Sequence, residues 1–359
     1  MGLTLTLTDH EIPASPAFIE FLHATLTGTD YHAGEWYAQE EEGLATNDGR
    51  FGDIQEKAKF VLSNEVGKKL VVRSYRFFKE MLTGRPETIK SISRFRFIFI
   101  VGIPRTGGTY LTKQLFRAAQ IDYKKVQNAL AHDGFPHLAT LEFKNKANVH
   151  THGLLQLAEY LTMVEMYYTK YGKLAYKGGI VVPKKFTKVV YNYPLIQELC
   201  EANSEYIITL RHPLGMIGSV LEKSGGMPEN KKFIIRSAIE RWAYDDWIHW
   251  GEDEKVVQDM EYIDVLLGYW KRFHFKMALE GIPRHAGVML VPFGKEPMEH
   301  AVKTLFQNFN LDLEPEPFKV GEIHSFDNAI KAKAERVVND VTHFWDSLGL
   351  TFPAEELVL

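Results

Sequence analysis

Phe97-Ile98-Phe99-Ile100-Val101-Gly102-Ile103-Pro104-Arg105-Thr106-Gly107-Gly108-Thr109-Tyr110-Leu111 is the stretch on which the fold turns. Its first five residues are β-branched or aromatic, with no polar alternation. Such a run specifies a strand buried on both faces. Gly102, Pro104, Gly107 and Gly108 then break the strand. Leu111, Leu115 and Ala118 follow at helical spacing, with Thr112, Lys113 and Gln114 on other faces. Strand, glycine loop and helix together form an anion cradle, because loop N–H groups and a helix N-terminus both present partial positive charge.

The same grammar recurs downstream. Tyr206-Ile207-Ile208-Thr209-Leu210 is a second apolar strand, ending at Arg211-His212-Pro213, and a helix follows through Ile217, Val220 and Leu221. Leu154–Tyr171 and Tyr191–Ala202 carry helical periodicity. Leu174–Gly179 is expected to be a short strand stopped by its glycines, and Gly287–Val291 a later strand. Ile121–Pro136 is expected to be irregular. Strands alternating with helices specify a parallel sheet covered on both faces, with ligands bound beyond the strands' carboxyl ends. Both Gly102–Gly108 and Arg211 lie at such ends. The expected fold is α/β: a P-loop-like parallel sheet flanked by helices, with a helical N-terminal cap. Residues 1–90 form that cap, 91–325 the α/β core, and 326–359 a C-terminal helix packing on the core. Helical periodicity runs through 53–82 and ends at Gly84-Arg85-Pro86. Residues 233–280 are helical and aromatic, and read as helix core.

Composition narrows the function classes. The 359 residues are 45% hydrophobic and 25% charged, with a net charge of −4. Without a basic field, nucleic acid is not an expected partner. The single cysteine, Cys200, precludes an intrachain disulfide or a multi-cysteine zinc site and reads as a small buried hydrophobe. The first residues lack a signal-peptide pattern, and no apolar run reaches the roughly 18 residues that span a bilayer. A cytoplasmic protein without an integral membrane segment is expected.

The loop departs from a nucleotide kinase's at one position. G-x-x-x-x-G-K-[ST] requires lysine where Gly108 stands, although Gly102, Gly107 and Thr109 fit. The cation sits earlier, at Arg105. PRTGGTYL resembles the 5′-phosphosulfate loop of sulfotransferases that use 3′-phosphoadenosine 5′-phosphosulfate (PAPS), many of which carry P-K-S-G-T-T or P-R-[ST]-G-[ST]-[ST]. TLRHPLGMIGSV is similar to the family's 3′-phosphate motif, with Arg211 and Ser219 eight apart. Two motifs in the right order, each at a strand-to-helix junction, carry the resemblance from about Phe97 to Leu313. Gly178-Gly179 after Lys177 and Phe293-Gly294 depart from the family's usual residues.

The resemblance implies an in-line sulfuryl transfer from PAPS to a hydroxyl of a small-molecule or lipid-like acceptor. Arg105 would stabilise charge on the leaving 5′-phosphate. The loop N–H groups of Thr106, Gly107, Gly108 and Thr109, with the Thr109 hydroxyl, would hold that phosphate, and Tyr110 would add a contact. Arg211 and Ser219 would hold the 3′-phosphate. The chemistry requires no metal. Its general base is expected to be His132, 27 residues after Arg105, or His152, with His150 and Glu159 behind them. A basic C-terminal segment at Lys331, Lys333 and Arg336 could approach the 3′-phosphate, although a solvated helix face explains it as well. Two alternatives stay open: a P-loop kinase-like phosphotransferase with an altered lysine, and a non-catalytic nucleotide-binding regulator of the same fold.

Overall fold

The apolar run of the opening stretch forms β1, Phe95–Val101, in which every residue but Arg96 is buried. The computed structural model describes residues 14–29, 48–83, 91–133, 135, 147–200, 203–321 and 324–357. Besides β1, the strands are β2 (Ala175–Tyr176), β3 (Gly179–Lys185), β4 (Ser204–Leu210) and β5 (Val288–Pro292). They make a mostly parallel five-stranded sheet in the order β2-β3-β1-β4-β5, flanked by helices. β4 and β5 are parallel, in register from Tyr206 opposite Val288 to Leu210 opposite Pro292.

One strand differs from expectation. The short strand β2 does stop before the glycines at 178 and 179, as expected, but there the chain turns and pairs with a further strand, β3, that was not expected. Lys177 and Gly178 take φ of +44° and +77°, and Tyr176 pairs with Gly179 across an antiparallel hairpin. Two consecutive residues with positive φ suit the right-handed twist of a tight hairpin. β3 then continues to Lys185. The segment after Ile121 is also more ordered than expected, holding a short helix and a π-helical turn, Gln127–Ala131.

The helices are α1 (Pro16–Thr27), α2 (Asp48–Ser63), α3 (Glu65–Thr83), α4 (Gly108–Ala118), α5 (Tyr123–Val126), α6 (Ala147–Tyr171), α7 (Tyr193–Cys200), α8 (Pro213–Lys223), α9 (Ala238–His249), α10 (Glu254–Asp259), α11 (Tyr262–Leu279), α12 (Lys295–Asn308) and α13 (Asn328–Ser347). The expected helix stop at Gly84–Pro86 lies outside the described residues. No helix among the described residues is long and apolar enough to cross a membrane.

Contacts divide the chain into two compact units, each assembled from separate stretches: 1–97 with 119–184 and 196–203, and 98–118 with 185–195 and 204–359. In the first, α1 starts where Ser15 Oγ accepts from the Phe18 N–H, a side-chain cap for an otherwise unpaired donor. The Ser15 N–H in turn donates to the fully buried Glu159 carboxylate on α6 at 2.8 Å. Arg73 of α3 donates to Glu165 of α6 at 2.9 Å, beside the buried Phe77 and Phe78. In the second unit, the aromatic stretch is core: Tyr262, Tyr269, Trp270 and Phe273 of α11 are buried, while Trp250 is exposed. Trp345 of α13 donates from Nε1 to the His274 carbonyl at 3.1 Å.

Candidate anion site at two strand ends

The loop between β1 and α4 is held by close packing before any ligand is considered. A Cβ on Gly102 would lie 2.1 Å from Thr209 Oγ1 and 2.6 Å from the Thr209 carbonyl oxygen, so only glycine fits where β1 ends beside β4. The buried Thr106 hydroxyl contacts Thr209 Oγ1 at 2.6 Å and donates to the Ile103 carbonyl at 2.7 Å. Its side chain therefore staples the loop to β4, leaving the backbone as its means of holding an anion. Arg105 takes φ +73° and Gly107 φ +89°. Left-handed backbone is uncommon outside glycine, and a non-glycine residue held in it costs about 1 kcal/mol or more unless its surroundings enforce it.

Three side chains from the two strand-to-helix junctions meet at this loop. Arg105 Nε donates to Ser219 Oγ at 2.8 Å. Arg211 Nη1 donates to the Arg105 carbonyl at 2.9 Å. Ser219 is reached because it lies two turns into α8, on the face that carries Arg211 at the strand end. Arg105 is exposed, Arg211 half-buried and Ser219 buried. Burial, and then the neighbouring Arg105 charge, lower the Arg211 pKa to about 10, opposed in part by Glu222. Two guanidinium groups gathered this closely favour an anion between them.

Four residues around this loop and its arginines were given no part in the site from the sequence. The Arg211 guanidinium lies over the Phe293 ring, 3.7 Å from its centroid. Trp270 Nε1 donates to the Arg211 carbonyl at 3.0 Å. Gly215 leaves room for the arginine, since a Cβ there would lie 2.7 Å from Arg211 Nε. Lys185, at the end of β3, packs its stem against Gly108, with Cε 3.5 Å from a Cβ built there. That lysine was hidden because the strand after Gly178-Gly179 was not read.

Tyr110 is already engaged. Its hydroxyl donates to the Glu316 carbonyl at 2.6 Å, and its ring meets Phe318 edge-on. Burial, with Glu299 and Glu316 nearby, pushes its pKa up to about 12. Gln114 and Arg117 hold the same strap, through Glu316 Oε2 and the Glu314 carbonyl. Lys333 is likewise occupied, donating to Asp264 at 2.8 Å and Glu261 at 3.0 Å.

Both candidate histidines belong to the first unit. His132 follows the π-helical turn and is half-buried. Its carbonyl accepts from Lys184 Nζ at 2.9 Å, and the Phe135 carbonyl accepts from the same atom at 2.7 Å. Lys184 is fully buried, and desolvation lowers its pKa to about 7 against the opposing pull of Asp133. His152 lies on α6, and its side chain, like that of His150, is outside the described residues. Glu159 is tied to Ser15, as described above. Among the described residues no group of three or more His, Cys, Asp or Glu side chains is arranged to hold a metal ion. No family model matches this chain, and no curated protein matches it.

Proposed function

We propose that this chain is a PAPS-dependent sulfotransferase acting on a hydroxyl of a small-molecule or lipid-like acceptor. The observation that carries the proposal is the meeting of Arg105, Arg211 and Ser219 at two adjacent strand ends. PAPS carries phosphate at both the 3′ and the 5′ position of its ribose, and two arginines from separate junctions suit such a ligand. The proposal includes a P-loop-like core, with the helices of residues 1–90 as a cap, and a cytoplasmic site of action, which the lone buried Cys200 suits.

In the proposed reaction the acceptor oxygen attacks sulfur in line. The bond from sulfur to the 5′-phosphate oxygen breaks as the bond from sulfur to the acceptor oxygen forms. Arg105 stabilises the negative charge left on that phosphate, an effect expected to be worth about a hundredfold or more in rate. The loop backbone from Thr106 to Thr109 holds the same phosphate, and Arg211 with Ser219 holds the 3′-phosphate. The acceptor proton passes to a general base, for which His132 and His152 are the candidates.

Titration calorimetry with PAPS and with adenosine 3′,5′-bisphosphate tests the proposal directly. Binding of both without added metal is expected, and binding of neither overturns it. Arg105→Ala is expected to cut sulfuryl transfer at least about a hundredfold, read by release of the bisphosphate. Magnesium-dependent ATP binding in place of PAPS binding would identify the kinase-like alternative. Tight bisphosphate binding with no turnover across alcohols and phenols would identify a regulator.

A further inference from the structure

A half-buried arginine that serves only the fold is normally matched by a carboxylate. Arg211 is held differently. Its guanidinium is covered on one side by the Phe293 ring at 3.7 Å. Its Nε lies against the backbone of Gly215, where a Cβ would come within 2.7 Å. Among the described residues its hydrogen bond goes to a neutral acceptor, the Arg105 carbonyl, and the exposed Glu222 acts on it through space without a hydrogen bond. A ring face stabilises a cation without occupying its N–H donors, and the remaining donors of the guanidinium fork stay available to a ligand.

We infer that Phe293 and Gly215 form a slot that positions Arg211 to receive a phosphate monoester, and that Phe293 sets the preference for a nucleotide bearing a 3′-phosphate. This rests on the sulfotransferase proposal for the identity of the nucleotide. The ring fixes the plane of the guanidinium, and with it the direction in which two N–H groups meet two phosphate oxygens. Gly215 matters because any larger residue would lift the side chain out of that plane. Phe293 acts through Arg211 and is a positioning residue. The aromatic contact continues to Phe318, whose ring lies 5.2 Å from that of Phe293, so the slot wall is itself braced.

The test compares adenosine 3′,5′-bisphosphate with adenosine 5′-monophosphate by calorimetry on the full chain. Wild type is expected to prefer the bisphosphate. Phe293→Leu is expected to lower bisphosphate affinity by about tenfold, the size of a partly desolvated cation–ring contact, and to leave monophosphate affinity unchanged. Phe293→Tyr, which keeps the ring, should restore the preference. Gly215→Ala, which crowds the arginine from the other side, should reduce the preference as Phe293→Leu does. A general packing defect would instead weaken both nucleotides together. If wild type binds neither nucleotide, the sulfotransferase proposal fails. If wild type prefers the bisphosphate and both Phe293→Leu and Gly215→Ala retain that preference, the slot is wrong while the nucleotide assignment stands. Should Phe293→Leu fail to fold, Gly215→Ala and Phe293→Tyr decide the matter by the same ratio.

Discussion

Arg211 and Arg272 sit in matching surroundings and have opposite partners. Each guanidinium lies over an aromatic ring, Arg211 at 3.7 Å from Phe293 and Arg272 at 3.6 Å from Trp247. Burial lowers the pKa of both. Arg272 Nε donates to the Asp246 carboxylate at 2.6 Å, and Asp246 also accepts from the Tyr191 hydroxyl at 3.2 Å. Arg211 has a backbone carbonyl for a hydrogen-bond acceptor, and the Arg105 charge acts on it more strongly than the exposed Glu222 carboxylate does. Arg272 is thus balanced within the protein, whereas Arg211 adds positive charge to a place that already holds some. The difference separates an arginine whose charge is met within the fold from the one proposed to hold an anion.

The largest effect comes from breaking the balanced partner. Asp246→Ala strands the Arg272 charge beneath Trp247 and should cost about 3–5 kcal/mol of folding stability, measured by urea denaturation. Arg211→Met strands no carboxylate, so its stability should stay within about 1 kcal/mol of wild type. That variant should instead lose bisphosphate affinity by about thirtyfold, the worth of a charge-assisted hydrogen bond. Equal destabilisation by the two substitutions would erase the distinction.

A titratable core group sharpens the same contrast. His274 is fully buried, with Nδ1 2.7 Å from the Trp270 carbonyl oxygen and its ring 4.1 Å from the Trp270 ring. Desolvation lowers its pKa to about 4, against the Trp270 hydrogen bond that raises it. Between about pH 4 and 6.5 the unfolded chain therefore binds a proton that the folded chain refuses. Stability from this group is fully present above about pH 6.5 and is lost as pH falls towards 4, by on the order of 3 kcal/mol. His274→Leu should flatten that slope in denaturation midpoints taken across the range. Neither Arg211 nor Arg272 titrates there; burial also lowers the pKa of His212, beside Arg211, so His274 carries one part of the slope. A slope unchanged by the substitution would place the acid sensitivity elsewhere.

What the sequence made legible follows from how local each signal is. β1 and β4 are unalternating apolar runs cut by glycine or by Arg-His-Pro, and the helices after them carry their apolar faces at helical spacing. The spacing of Arg211 and Ser219 was readable as eight residues across a strand end and two helical turns, but the hydrogen bond that Ser219 accepts comes from Arg105, which no spacing announced. β3 was missed because Gly178-Gly179 is ambiguous between a stop and a tight hairpin, and only φ at Lys177 and Gly178 distinguishes them. With β3 went Lys184 and Lys185. Partners were less legible than addresses. The spacing that put Thr106 and Tyr110 in the loop gave no sign that Thr106 is bound to Thr209 or Tyr110 to Glu316, because those contacts cross 103 and 206 residues. Phe293 was noticed as a departure from the family's residues, but its contact with Arg211 spans more than eighty positions and leaves no periodic trace.

Tyr110 gives the smallest effect and the finest test of that last distinction. The sulfotransferase resemblance would set its hydroxyl on the nucleotide, whereas the structure spends it on the strap at Glu316, with Phe318 against its ring. Tyr110→Phe keeps the ring and deletes one hydrogen bond from a hydroxyl near the surface. The expected cost is about 1 kcal/mol or less in stability, with bisphosphate affinity unchanged. Since the hydroxyl stays protonated until about pH 12, the bond is present throughout neutral pH and the cost should not vary there. Loss of nucleotide affinity at unchanged stability would reverse the assignment, freeing Tyr110 from the strap and returning it to the ligand beside Arg105 and Arg211.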